Sequence, residues 1–255
     1  MIITDTHAHI YSELFENDRN EMMNRAISKG VSRFFVPAID STYTKAMLDI
    51  EHQFPKNVFL MMGLHPTHVK ENVVDELAKV KEWLDKRTFY GVGEIGIDLY
   101  WDKTFLKQQQ DAFKTQIEWA KEKKLPIIIH SRDSFDEIFE VLDDVKDEQL
   151  FGIFHCFTGT KEQAEKALTY QMKLGIGGVV TFKNGKIDQF LKEIPLNHIV
   201  LESDAPYLAP VPFRGKRNES SYLPLIVDKL AQIYNLTPNE IASITTQNSK
   251  EIFGI

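Results

Sequence analysis

Two histidines separated by a single residue, His7 and His9, follow a short apolar segment at the start of the sequence. In an extended backbone, the side chains at positions i and i+2 point to the same face. Imidazole nitrogens are common ligands of divalent transition metals. The pair therefore indicates part of a metal site, although an isolated His-x-His is as typical of solvated or capping histidines.

Further metal-ligating residue types follow later apolar segments. We expect Glu94 to end the fourth strand of the chain, His130 the fifth, His155 the sixth and Asp204 the eighth. In a parallel α/β barrel the carboxyl ends of the strands meet on one face, and functional groups lie there. Together with the first two histidines, these residues supply four imidazoles and two carboxylates. They are sufficient for two divalent ions if one carboxylate bridges, and they accept Zn²⁺, Mn²⁺, Fe²⁺ or Mg²⁺.

Other polar residues are predicted to lie beside these ligands. His65 should end the third strand and remain free to donate to a substrate oxygen. Asp5 and Glu202 each precede a ligand by two residues and so share its face. We expect Asp5 to accept an imidazole N–H and Glu202 to orient a ligand or the attacking water, with ordinary buried ion pairs as the alternative. Cys156 is expected to point away from the site, and His68 to be a solvated loop residue.

A group of basic residues is predicted on the same side of the molecule. Arg214, Lys216 and Arg217 belong to the loop after the eighth strand, here called the basic loop (residues 214–217). Arg132 follows the ligand His130 by two residues. Guanidinium groups match phosphate oxygens in bidentate geometry, so these four side chains are candidate phosphate contacts. A solvated charged surface is the alternative interpretation.

The elements that would position these residues alternate between strand and helix. Apolar segments predict eight strands, at residues 2–4, 33–38, 58–63, 90–95, 126–129, 151–154, 173–176 and 199–201. Helical periodicity predicts helices at residues 20–29, 44–53, 73–86, 105–123, 135–145, 161–170, 187–192, 222–234 and 238–253. This alternation predicts a single-domain (β/α)8 TIM barrel over residues 1–255. A doubly wound sheet is the alternative, but it usually carries a glycine-rich turn after its first strand.

Length and composition agree with this class. The 255 residues match the roughly 250 that are typical of a TIM barrel. The sequence has no segment typical of a membrane helix or a signal peptide, and its one cysteine excludes an internal disulfide, so a cytoplasmic protein without a membrane or obligate protein partner is expected. The net charge of −7 argues against an extensive basic surface for nucleic acid, but not against a phosphate held locally by metal ions.

The order of the motifs resembles that of a known family, the TatD metal-dependent deoxyribonucleases. The matching segments are Asp5-Thr6-His7-Ala8-His9, Gly63-Leu64-His65-Pro66, Gly93-Glu94-Ile95-Gly96-Ile97-Asp98, His130-Ser131-Arg132-Asp133, His155-Cys156-Phe157-Thr158-Gly159 and Glu202-Ser203-Asp204-Ala205-Pro206. The resemblance covers nearly the whole chain. It implies a TIM barrel of the amidohydrolase type and hydrolysis of DNA phosphodiesters, often as a 3′-to-5′ exonuclease.

The resemblance also implies roles for individual residues. It places metal ligation on the six residues His7, His9, Glu94, His130, His155 and Asp204, with Glu94 as the bridge, and supports His65 as a phosphate contact. Our mechanistic hypothesis adds Asp204 as general base on a DNA, or RNA, substrate. Two alternatives stay open: a metal-dependent hydrolase of another ester or an amide, and a barrel that binds metal or nucleic acid without catalysis.

Overall fold

A computed structural model describes all residues of the chain, 1–255. Eight strands occur in chain order: β1 (Ile3–Asp5), β2 (Val31–Val36), β3 (Val58–Leu60), β4 (Val92–Asp98), β5 (Ile127–Arg132), β6 (Gly152–Phe154), β7 (Met172–Ile176) and β8 (Ile199–Leu201). Eight α-helices accompany them: α1 (Arg19–Ser28), α2 (Thr44–Gln53), α3 (Val73–Lys86), α4 (Leu106–Lys123), α5 (Phe135–Val145), α6 (Lys161–Leu168), α7 (Leu223–Tyr234) and α8 (Pro238–Phe253).

The strands form a closed parallel barrel. β1 to β3 and β4 to β8 pair in sequence order within two parallel groups. Met62, just past β3, forms a parallel bridge to Val92 at the start of β4. Thr6, just past β1, donates from its backbone N–H to the Leu201 carbonyl of β8 at 2.9 Å, and from its hydroxyl to the same oxygen. These two junctions close the ring, and the prediction of a TIM barrel is confirmed.

The inward-facing residues connect the core to the functional end of the barrel. Ile128, Ile153 and Val200 are fully or almost fully buried in an interior cluster with Phe35 and Phe253. Phe253, from α8, stacks on Phe35 of β2 with ring centroids 3.5 Å apart. Since side chains alternate along a strand, residues two positions after this layer also face inward. Those residues are His130, His155 and Glu202, so the predicted site lies directly above the packed core.

One predicted helix does not form. Residues 187–192, expected as the helix after β7, contain two 3₁₀ turns, Ile187–Gln189 and Leu191–Glu193. A six-residue segment provides too few α-helical hydrogen bonds to offset the cost of nucleation. Lys186, immediately before it, has a left-handed backbone with φ of 59°. This side of the barrel is therefore covered by turns. None of the helices combines the length and apolar character required to cross a bilayer.

Candidate metal centre

The six predicted ligands lie at the carboxyl end of the barrel. His7 and His9 follow β1, His155 immediately follows β6, and Asp204 follows β8 with a left-handed φ of 56°. Two placements differ from expectation, because Glu94 is the third residue of β4, not its last, and His130 lies inside β5. β4 continues pairing with β5 beyond both residues.

One oxygen of Glu94 faces the first group of imidazoles. Glu94 Oε2 lies 3.1 Å from His7 Nε2 and 3.5 Å from His9 Nε2, and those two nitrogens are 3.2 Å apart. Asp204 Oδ1 lies 4.0 Å and 3.8 Å from the same nitrogens. Ligands at 2.0–2.2 Å around one tetrahedral ion lie about 3.3–3.6 Å apart. The separations around Glu94 Oε2 are close to that spacing.

The other oxygen of Glu94 faces a second group. Glu94 Oε1 lies 2.8 Å from His130 Nδ1, 3.2 Å from His65 Nε2 and 3.4 Å from His155 Nε2. The rings of His7 and His155 stack with centroids 3.6 Å apart, so the two groups are adjacent. One buried carboxylate thus divides its oxygens between two sets of nitrogen donors, which is the arrangement a bridging ligand requires.

The hydrogen bonds assign different proton positions to His9 and His65. Tyr11 donates its hydroxyl hydrogen to the Pro37 carbonyl, and so accepts from His9 Nδ1 at 2.9 Å. The neutral His9 ring then carries its lone pair on Nε2, which faces the centre. His65 Nδ1 instead accepts the backbone N–H of Thr67, which leaves the proton on Nε2. His9 is therefore prepared to bind a cation, and His65 to donate a hydrogen bond.

His130 shows that a cation fits the second group. Its Nε2 lies 2.9 Å from Asp98 Oδ2, and since an ionised carboxylate only accepts, Nε2 carries the proton. In the neutral ring, the lone pair of Nδ1 then faces Glu94 Oε1 at 2.8 Å, and two acceptors at that distance repel. Either a proton or a metal ion shared by Nδ1 and Glu94 removes the repulsion. A carboxylate behind a ligating histidine is a common second partner in metal sites.

Burial and charge act in opposite directions across the centre. Burial disfavours the charged form of Glu94, yet the surrounding histidines hold the pKa of this carboxyl well below its usual value. Burial, together with the neighbouring His155, lowers the pKa of His7. Burial also opposes charge on His155, but the carboxylates of Glu202 and Glu94 raise its pKa to about 10. The carboxylate of Glu94 therefore stays ionised, while burial disfavours positive charge on His7 and neighbouring carboxylates favour it on His155.

Asp5 and Glu202 contact backbone groups of the centre. Asp5, expected to accept an imidazole N–H, instead accepts the backbone N–H groups of His7 and Ser203 and the Ser203 hydroxyl. It joins the ends of β1 and β8, because its short side chain reaches the main chain before it can reach a ring. Glu202 Oε1 accepts the Cys156 N–H at 2.6 Å and lies 3.0 Å from His155 Nδ1, although the ring N–H does not point at it.

The position of Glu202 depends on a glycine. A Cβ atom at Gly175, on β7, would lie 2.2 Å from Glu202 Oε2. Gly175 therefore makes the space for this carboxylate between β7 and β8. Glu202 Oε2 itself is buried without a hydrogen-bond partner.

The structure separates Arg132 from the basic loop. Arg132 lines the cavity above the centre, whereas Arg214, Lys216 and Arg217 are absent from its walls. The Arg217 guanidinium binds Asp18 through two contacts of 2.6 and 2.7 Å. Arg214 lies over the Phe182 ring at 4.5 Å. The basic loop is therefore partly engaged in structural contacts.

The cavity above the centre has a volume of about 620 Å³ and contains residues with no predicted role. Asp98, Trp101 and Tyr207 are among them. Asp98 was detectable in the sequence, since it follows Glu94 by four residues in one strand and so shares its face. Cys156, expected to point away, also lines this cavity, because its left-handed φ of 44° turns it out of the strand alternation. His68 lines it too, with its side chain 40% exposed.

Comparisons with known proteins agree with this geometry. The family model described as TatD related DNase matches residues 4–254. The metal-dependent hydrolase YabD of Bacillus subtilis is 40% identical over 257 residues, which cover 100% of both chains. The 3′-5′ ssDNA/RNA exonuclease TatD of Erwinia tasmaniensis is 27% identical, covering 98% of this chain and 99% of that protein.

A solved structure shows the same fold. The crystal structure of YjjV, a TatD homologue from Escherichia coli K12, superposes with a TM-score of 0.93 at 28% identity. The match covers 99% of this chain and 98% of that one. The buried histidine and carboxylate cluster is what a metal-dependent hydrolase requires. The chain belongs to the TatD family of metal-dependent hydrolases.

Proposed function

We propose that this protein hydrolyses phosphodiester bonds of DNA at a centre of two divalent metal ions. The observation that carries the proposal is the division of Glu94, whose Oε2 faces His7 and His9 while Oε1 faces His130 and His155. The first ion would be held by His7, His9, Glu94 and Asp204, and the second by His130, His155 and Glu94. Two such ions supply Lewis-acid stabilisation of the phosphate and lower the pKa of the attacking water.

Asp204 is proposed as the general base. Burial raises the pKa of its carboxyl to about 6, against the opposing charges of His155 and His9. The side chain is 11% exposed, so it contacts the cavity that a substrate would enter. A carboxylate in this position can accept the proton of the attacking water. Positive charge in the loaded site would lower this pKa and keep the carboxylate ionised at neutral pH.

His65 is proposed to donate a hydrogen bond to the phosphate. Burial lowers its pKa to about 4, so the ring is neutral at pH 7. Its Nε2–H points toward the centre, because Nδ1 accepts from Thr67. The donor would therefore act on a phosphate oxygen without a change of protonation state. Arg132, on the cavity wall, is proposed to offset the remaining negative charge.

The nucleic-acid substrate is supported by similarity to a nuclease. The relative from Erwinia tasmaniensis is named a 3′-5′ ssDNA/RNA exonuclease, and we extend that substrate class to this chain. We therefore expect release of nucleotides from the 3′ end of a single strand. The amide or lactone alternative uses the same type of centre, so only a direct assay separates it.

A digestion assay tests the proposal. Single- and double-stranded DNA and RNA, labelled at either end, are incubated with protein loaded with Mg²⁺, Mn²⁺ or Zn²⁺ and sampled over time. We expect shortening from the 3′ end that chelator stops, and no cleavage by Asp204→Ala. His52→Ala is a matched control, since that histidine lies in α2 outside the centre.

The possible results are distinct. Hydrolysis of lactones or amides, without cleavage of any strand, would assign the centre to another substrate class. Tight DNA binding in chelator without cleavage in any metal would support the non-catalytic barrel. Full activity of Asp204→Ala would contradict its role as the base.

A further inference from the structure

The exposed aromatic side chains of this protein all belong to one region. Trp101 is 69% exposed, Tyr100 54% and Tyr207 51%, whereas every other Phe, Tyr and Trp is buried or half-buried. Trp101 and Tyr207 line the cavity above the metal centre. Tyr100 contacts Trp101 edge to face, with centroids 4.9 Å apart. Large exposed apolar groups that cluster at a cavity mark a binding surface.

Arg132 completes this surface. Its guanidinium carbon lies 3.8 Å from the centroid of Tyr100 and 5.3 Å from that of Trp101. The planar group is thus held by an aromatic ring, while no carboxylate pairs with it. An arginine that stacks in this way keeps its in-plane N–H donors available for a phosphate. We call Tyr100, Trp101 and Arg132 the aromatic wall.

The aromatic wall is fixed to the metal centre by a single carboxylate. Asp98 Oδ1 accepts the backbone N–H groups of Tyr100 at 3.0 Å and Trp101 at 3.2 Å. Its Oδ2 contacts His130 at 2.9 Å. Arg132 pairs in register with Asp98 across β4 and β5. The wall is therefore built onto the same strands as the ligands and is held at the side of the cavity.

We propose that the aromatic wall is a base-stacking subsite, in which Trp101 stacks on an unpaired base and Arg132 contacts the adjoining phosphate. The inference rests on the proposed function and names the form of its substrate. An indole face binds any nucleobase with little sequence preference, and arginine adds phosphate contact. Bases inside a duplex are already stacked, so the wall selects single strands and frayed ends. A lactone or a small amide offers neither an extended π-face nor a phosphate.

A comparison of strands with and without bases tests this inference. The parent protein, Trp101→Ala and Trp101→Phe are assayed on a single strand and on a strand of equal length with abasic 3′-terminal residues. Stacking is worth about tenfold per base, so Trp101→Ala should raise KM about tenfold on the base-bearing strand. It should leave KM on the abasic strand and kcat on both strands unchanged. Trp101→Phe, which keeps a ring, should recover most of the loss.

Val74→Ala provides a matched control, since Val74 is the most exposed of the large apolar residues, at 75%, and lies on α3 away from the cavity walls. Equal losses on both strands, or no loss on either, would overturn the base-stacking role. If the parent cleaves neither strand with any metal, the proposed function fails, and fluorescence anisotropy of the same strands then decides the inference. In that assay, Trp101→Ala binding the base-bearing strand as tightly as the parent would refute stacking.

Discussion

The metal centre and the basic loop are both groups of charged or titratable residues at the same end of the barrel. Only the side chains of the metal centre face a common point. The candidate ligands lie on or just after parallel strands, and the pairing of those strands sets their separations. The basic loop sits on a long connection after β8, where Arg217 binds Asp18, 199 residues away in sequence. Strand pairing fixes the position of a residue on a strand, so its neighbours follow from the topology. The position of a loop residue depends on the partner that it contacts, which the sequence does not reveal.

The largest effect is expected at Glu94. Glu94→Gln keeps the shape of the side chain but removes the charge that both groups of imidazoles face. We expect kcat on single-stranded DNA to fall on the order of 10³-fold, as for loss of a group that stabilises the transition state. Elemental analysis should show less bound metal per protein, with an unchanged circular dichroism spectrum. A variant with full metal content and parental kcat would show that Glu94 does not bridge.

A smaller effect is expected at Asp98. Asp98→Asn removes the charge behind His130, and loss of such a partner typically weakens metal binding about 10–100-fold. Competition with a metal-sensitive dye measures the change in Kd. Asp102→Asn is the matched control, because Asp102 is a nearby partly exposed carboxylate that pairs with Lys70. If both substitutions weakened metal binding equally, the cause would be the loss of negative charge near the site and not the loss of the contact between Asp98 and His130.

The smallest effect is expected in the basic loop. Arg217→Met should leave kcat/KM within about twofold and reduce the free energy of unfolding by about 0.5–1 kcal/mol, the range for a partly exposed ion pair. A large loss of kcat/KM with unchanged stability would show that Arg217 contributes to substrate binding.

Acid should erase this stability difference. Hydrogen bonds from Arg217, and then from Arg25, lower the pKa of Asp18 to about 2. An unfolded aspartate titrates near 3.9, so the folded state holds the charged form more strongly. The stabilisation is present above pH ~4 and disappears as the pH falls toward 2. Urea denaturation of the parent and the variant at pH 7, 4 and 2.5 measures it, and a difference that is as large at pH 2.5 as at pH 7 would exclude the ion pair as its source.

The sequence was most informative where local patterns and topology agree. α2, α3, α5 and α8 begin and end at the predicted residues. The six candidate ligands could be predicted to lie together because strand ends gather at one face of a barrel. The surroundings were harder to predict, since they depend on backbone details. The predicted orientation of Cys156 was wrong because its left-handed φ breaks the strand alternation. The helix predicted at 187–192 does not form because the segment is too short.

Contacts between distant residues were outside the reach of sequence patterns. Asp5 binds Ser203, 198 residues away, and the Arg217 partner lies in the loop before α1. The sequence shows that such residues are charged, but not which of several polar groups will lie within reach. The exposure of Trp101 was equally invisible, because an aromatic residue is normally assigned to the core.

Asp98 has one further consequence, because the same side chain touches a candidate ligand and the turn that carries Tyr100 and Trp101. The binding of the ions and the binding of a nucleic-acid strand are then two equilibria that both involve the Asp98 side chain. Thermodynamic reciprocity requires that the factor by which the ions change the affinity for a strand equals the factor by which the strand changes the affinity for the ions. If bound ions tighten the binding of a strand, a bound strand therefore reduces the loss of the ions to the same extent at equilibrium.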